Sequence, residues 1–159
     1  MKILVTGATG FLGAQTALTL SAQGHQILAT GRCCSKAPKG SGIDFIAADL
    51  TQELPAALFE HTEAVVHCAA LSSPWGRYED FYKANVLATR QLIDLSLKHA
   101  VKRFIHISSP SIYFDFKDKQ HVKETDPLPL KKANYYAETK YLAELEVLAG
   151  AQKGLPCLM

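Results

Sequence analysis

Tyrosine and lysine stand four residues apart in Tyr136-Ala-Glu-Thr-Lys140. On a helix that spacing puts both on one face, so an ammonium can sit near a phenol. A nearby cation favours phenolate and lowers a pKa that starts at about 10. Such a tyrosine can give a proton to a carbonyl oxygen during reduction, or take one from an alcohol during oxidation. The same spacing also describes a Tyr/Lys pair on the surface of an amphipathic helix. Upstream, Ile107-Ser-Ser-Pro-Ser111 closes an apolar stretch. Ser109 there is placed either to donate a hydrogen bond to a substrate oxygen or to cap loop backbone.

The first thirteen residues, Met1-Lys-Ile-Leu-Val-Thr-Gly-Ala-Thr-Gly-Phe-Leu-Gly13, run an apolar strand into a turn with glycines at 7, 10 and 13. Phe11, Leu12, Ala14, Ala17, Leu18 and Leu20 continue at helical spacing. A strand, glycine turn and helix in that order bring backbone N–H groups to a helix N-terminus, where they can hold a pyrophosphate. Gly7 permits the turn, Gly10 lets backbone approach phosphate, and Gly13 lets the helix lie close to its strand. The spacing is GxxGxxG rather than GxGxxG, and a tight turn with close packing would use the same glycines. Later, His67-Cys-Ala-Ala-Leu-Ser-Ser73 ends a second apolar stretch in small residues that permit close approach of a ligand. His67 itself reads as a packed, hydrogen-bonded histidine.

The elements that must position these groups alternate strand and helix. Strands are expected at the N-terminus, His25–Thr30, Ile43–Ala48, Ala64–Ala69 and Lys102–Ser108. Helices are expected after the glycine turn, at Leu54–Phe59, Tyr78–His99 and Asn134–Ala149, with a loop over Phe114–Lys132. Gly150 and Gly154 are expected to stop the last helix. Buried strands alternating with helices argue an α/β, doubly wound parallel sheet of Rossmann-like type. Residues 1–159 read as one dinucleotide-binding domain. Leu155-Pro-Cys-Leu-Met159 reads as the opening of a sixth strand, so the expectation is an incomplete domain, or one that needs a partner.

Of the 159 residues, 48% are hydrophobic and 20% charged, with a formal net charge of +2, the balance of an ordinary globular chain. No basic stripe stands out, so nucleic acid is not an expected partner. No apolar run reaches membrane-spanning length, so no membrane is expected either. The four cysteines are Cys33, Cys34, Cys68 and Cys157, and the adjacent pair Cys33-Cys34 has neither CxxC spacing nor a nearby histidine to support a redox or metal role. They are expected to be reduced thiols of a cytoplasmic protein, with no metal site.

Taken together, Thr6-Gly-Ala-Thr-Gly-Phe-Leu-Gly13, Asp49-Leu50, His67-Cys-Ala-Ala70, Asn85-Val86, Ser108-Ser109 and Tyr136-xxx-Lys140 resemble the extended short-chain dehydrogenase/reductases, the NAD-dependent epimerases and dehydratases among them. The resemblance covers the whole chain. Ser108-Ser-Pro-Ser-Ile-Tyr-Phe-Asp115 looks most like the 3β-hydroxysteroid dehydrogenase-like group. Sugar-nucleotide epimerases usually carry Val-Tyr-Gly where this chain has Ile112-Tyr113-Phe114. The resemblance implies a nicotinamide-dependent oxidoreductase acting on a small-molecule carbonyl or secondary alcohol. Tyr136 would be the acid/base, Lys140 would lower its pKa and hold the nicotinamide ribose, and Ser109 would orient the substrate oxygen. Asn85 would kink the long helix and support a proton relay. Gly7, Thr9, Gly10, Phe11, Leu12 and Gly13 would form the phosphate turn, with Leu50, Ala69 and Ala70 lining the cofactor. Asp49 would contact the adenine, cap the following segment, or do both.

An NAD site wants a carboxylate after the second strand, whereas this chain has Thr30-Gly-Arg32 with Lys36 close behind. A 2′-phosphate suits the planar fork of Arg32, so NADP is favoured and NAD is the alternative. The family builds much of its substrate pocket after the sixth strand, so this chain is expected to bind cofactor with little turnover. A non-catalytic NADP-binding module is the competing reading. The two long helices carry extra apolar residues. Pairing across a two-fold axis into a homodimer and ordinary packing on the sheet both explain them.

Overall fold

A computed structural model describes residues 1–159. Its centre is a six-stranded, all-parallel sheet in the order β3-β2-β1-β4-β5-β6. The strands are β1 (Lys2–Thr6), β2 (Gln26–Gly31), β3 (Ile43–Ala47), β4 (Ala64–His67), β5 (Arg103–His106) and β6 (Cys157–Leu158). The strand order reverses between β1 and β4, and in such sheets ligands bind beyond the carboxyl ends at that point.

Side chains alternate between two faces. Leu4, Leu28, Val65 and Phe104 join the larger core, which includes Leu92, Ile93 and Val147. Ile3, Val5, Ile27, Ala29, Ala64 and Val66 join a second core with Ala17. Helix α1 (Phe11–Ala22) therefore covers one face, and α3 (Ala88–Lys98) with α4 (Tyr135–Gln152) covers the other. α3 continues from α2 (Tyr78–Phe81) through a π-helical segment, Tyr82–Leu87, so that the whole run is one helix with a widened turn. Register places Thr30, Thr6, His67 and His106 in one row across four strands at the carboxyl rim. Each lies two residues beyond a residue of the α3/α4 core, so the row faces that side.

The structure moves several expected boundaries. The expected helix Leu54–Phe59 is a single 3₁₀ turn, Ala56–Leu58, preceded by the extended N-cap Pro55, whose carbonyl accepts the Leu58 N–H (3.1 Å). β5 ends at His106 rather than Ser108, because Ile107 makes one last ladder bond to the His67 carbonyl (3.1 Å) before the chain turns at Pro110. Gly150 does not stop α4. It is buried in the last turn, where an added Cβ would lie 2.6 Å from Ile93 Cγ2. The stop is Gly154, at φ +96°. The expected sixth strand is present, with Cys157 opposite Phe104 and Leu158 opposite Ile105. No helix is long and apolar enough to cross a membrane.

Candidate active site

The glycine turn leaves β1 at the point where the strand order reverses. Gly7 has φ +67°, a left-handed conformation that side chains disfavour. A Cβ on it would lie 2.7 Å from both the N and Cα of Ala69. A Cβ on Gly13 would lie 2.6 Å from the Gly7 carbonyl carbon, so this glycine seats α1 against the turn. Gly10 differs from both, because a Cβ there would touch only the Gly7 oxygen, at 3.4 Å, and would otherwise point into open space. Gly10 is also the N-cap of α1, and no side chain caps the helix. The first intrahelical bond is Ala14 N–H to Gly10 O (3.0 Å), so the N–H groups of Phe11, Leu12 and Gly13 lie ahead of the ladder. No acidic residue sits in that first turn. The arrangement is a positive helix end offered to an anion.

Thr9 and Gly31 bring the end of β2 to the same place. Any side chain at Gly31 would collide with Thr9, whose Oγ1 and Cγ2 lie 2.7 Å from an added Cβ. Arg32 follows, exposed to solvent. Asp49, beyond β3, accepts hydrogen bonds from Thr51 N–H (2.9 Å) and Thr51 Oγ1 (2.8 Å). These bonds hold its carboxyl below the usual range, and the charge of Arg32 adds to the effect. Asp49 thus caps its own turn and not the 3₁₀ segment that follows. Leu50 is half-buried against the larger core.

Beyond β4, Ala69 is half-buried under Gly7, and Ala70 is exposed. Asn85 lies in the π segment and is 2% exposed. Its Oδ1 accepts from Leu71 N–H (2.7 Å), while its Nδ2 donates to Leu71 O (3.2 Å) and Thr139 Oγ1 (3.0 Å). The asparagine therefore clamps the β4 loop to α4. His67 is buried between Thr6 Oγ1 (2.7 Å from Nδ1) and Thr89 Oγ1 (3.0 Å from Nε2). Burial holds it neutral, well below the ordinary histidine pKa.

Ser108, Ser109 and Lys140, which gather near the end of β5, have separate partners. Ser109 shares a hydrogen bond with Ser111 Oγ (2.8 Å), and its Oγ accepts from Ser111 N–H (3.3 Å), capping the 3₁₀ turn Pro110–Tyr113. Ser108 donates to Glu144 on α4. Tyr136 is half-buried in the first turn of α4, which starts cleanly because Asn134 Oδ1 accepts from Ala137 N–H (2.8 Å). Lys140 is 2% exposed and donates to His106 Nε2 (2.9 Å) and Ile107 O (2.6 Å). The ammonium is thus anchored at the carboxyl end of β5. Burial pulls its pKa to about 8, against the opposing charge of Glu144.

The chain resembles known proteins over nearly its whole length. The model of the NAD dependent epimerase/dehydratase family matches residues 3–158. This chain belongs to that family. Among its relatives, a 2-alkyl-3-oxoalkanoate reductase of Stenotrophomonas maltophilia is 33% identical over 160 residues, covering 98% of this chain and 48% of the relative. A 3-beta-hydroxysteroid dehydrogenase of Mycolicibacterium neoaurum is 30% identical, covering 98% and 45%. Among solved structures, MoeE5 in complex with UDP-glucuronic acid and NAD superposes with a TM-score of 0.84 at 30% identity, covering 97% of this chain and 50% of that one. The chain thus spans about half the length of these relatives.

Sequence reasoning passed over Gly31, Asn134, Thr139 and His106. Gly31 and Asn134 carried legible signals, a glycine at a strand end and an Asn before a helical run. Thr139 and His106 carried none, because their roles depend on packing between α4 and the sheet.

Proposed function

We propose that this chain binds a nicotinamide dinucleotide over the carboxyl ends of β1, β2 and β4. In that reading it belongs to an oxidoreductase of carbonyls and secondary alcohols. The observation that carries this reading is the turn at Gly7–Gly13. Two of its glycines are packed so closely that a Cβ would collide with backbone. The third faces open space beside three N–H groups that precede the helix ladder. These features fit a pyrophosphate.

Phe11, Leu12 and Gly13 would hold the phosphates through backbone N–H groups, with Ala69 and Ala70 as the wall beside them. Asp49 and Leu50 would flank the adenine. Arg32 stands where β2 offers no carboxylate, which favours the 2′-phosphate of NADP over NAD. When bound, the nicotinamide supplies or accepts the hydride. Tyr136 would give or take the proton at its phenol oxygen, Ser109 would orient the substrate oxygen, and Lys140 would hold the ribose and favour phenolate. Asn85 would keep the β4 loop and α4 in register. The 3β-hydroxysteroid dehydrogenase-like identity rests on Ser108–Asp115 and on the similarity to the Mycolicibacterium relative. A sugar-nucleotide substrate is the second reading, favoured by the similarity to MoeE5.

Titration of NADPH and NADH fluorescence with this chain tests the proposal. NADPH should bind more tightly than NADH, and Arg32→Glu should reverse the order. Gly10→Ala should keep the melting temperature and lose about tenfold or more in affinity, since its methyl enters the phosphate space. Wild-type affinity in Gly10→Ala would remove the phosphate turn from the reading. In an enzyme containing this chain, Tyr136→Phe should abolish hydride transfer, and a retained rate would refute its acid/base role.

A further inference from the structure

His67 and His106 are neighbours in the row at the carboxyl rim, with ring centroids 5.3 Å apart. His67 is satisfied at both nitrogens. His106 is 1% exposed and meets Lys140 Nζ with its Nε2, but its Nδ1 is buried with no hydrogen-bond partner. An ammonium can only donate, so Nε2 accepts and the ring proton sits on Nδ1. The fold therefore buries an unpartnered N–H in order to present a lone pair to Lys140. Buried orphans of this kind are uncommon and call for a reason. The second acceptor, the Ile107 carbonyl, is the next residue along the same chain. Both acceptors thus stand at the rigid end of β5, and two of the three ammonium protons are committed to them.

We propose that His106 is a positioning residue for Lys140. With the Ile107 carbonyl it fixes the ammonium at the end of β5 and leaves one proton for the cofactor ribose or the phenolate. His106 itself touches neither cofactor nor substrate. This rests on the dinucleotide reading above. The contact also couples the two groups. Once Lys140 loses a proton, its amine can accept, and His106 can turn to the Nε2–H form while staying neutral. The other titratable groups around the pair are His67 on β4, Cys68 just beyond it, and Glu144 one turn along α4.

The test is nitrogen-15 NMR of the histidine-labelled full chain across neutral to alkaline pH. His106 should be the Nδ1–H tautomer at neutral pH and switch to Nε2–H with a midpoint near that of Lys140, about 8. Lys140→Met should abolish the switch. An Nε2–H ring at neutral pH overturns the proposal. Two variants then read function. His106→Gln keeps an acceptor, while His106→Phe keeps the volume without one. The Phe variant should bind NADPH about tenfold more weakly at neutral pH, with a flattened pH profile. The Gln variant should recover most of that loss. A Phe variant with wild-type affinity and an unchanged profile overturns the positioning role. If the wild-type chain binds neither dinucleotide, the functional reading falls, and the tautomer measurement alone decides whether His106 holds Lys140.

Discussion

Lys140 is a cation with no carboxylate partner, held instead by a neutral ring and a carbonyl in a site that solvent barely reaches. That choice has a sign that stability measurements can read. The folded pKa is lowered from 10.5 to about 8, so between those values the unfolded chain holds a proton that the native chain has released. Stability must then rise with pH across that window. Unfolding by urea at a series of pH values should show wild type gaining on Lys140→Met by roughly 3 kcal/mol between neutral and strongly alkaline conditions. A difference that stays flat would mean that the lysine is solvated. His106 behaves in the same sense on the acid side. Its pKa falls from 6.5 to about 3, first through burial and then through the charge of Lys140. The unfolded chain binds this proton first, so stability should drop as pH falls through that range, and His106→Phe should drop less.

At the scale of elements, α4 carries most of the site and is defined by two small devices. Asn134 caps its N-terminus, which sets where Tyr136 emerges. Asn134→Ala should cost about 1 kcal/mol in thermal or urea unfolding. At the other end Gly150 lets α4 cross α3 over Ile93. Gly150→Ala should destabilise by about 1–3 kcal/mol through overpacking, although alanine is the better helix former. A stabilised Gly150→Ala would show that the crossing has room to spare. Between these ends, Thr139 receives the Asn85 amide, so the π segment and α4 share one hydrogen bond across the site. Asn85 lies within the widened turn of the long helix.

For the whole molecule, the apolar residues of the two long helices bear on association. Val86, Leu92 and Ile93 are spent on packing within the chain, and Arg90 pairs with Glu146 between the helices (2.7 Å). Leu87, Leu145 and Leu148 remain 38%, 41% and 47% exposed on the outer surface of the helix pair. If α3 and α4 meet a second copy across a two-fold axis, these leucines form the contact. Sedimentation at micromolar concentration should then show a dimer, and Leu145→Glu with Leu148→Glu should return it to monomer. A monomeric wild type would leave packing on the sheet as the whole explanation for the apolar surplus.

The sequence by itself determined the parallel α/β sheet, the glycine turn and the family. All of these are written in local order, as buried strands, helical periodicity and glycines at positions where backbone geometry demands them. It placed Ser109, Tyr136, Lys140 and Asn85 on the right elements. Only the tertiary structure decided where their polar atoms point. Lys140 reaches His106 and the Ile107 carbonyl, partners that the sequence did not indicate, because β5 and α4 are remote in sequence and meet only when the larger core closes. The same holds for Gly150, a stop signal in the sequence and a helix crossing in the fold, since its neighbour Ile93 is supplied by another helix.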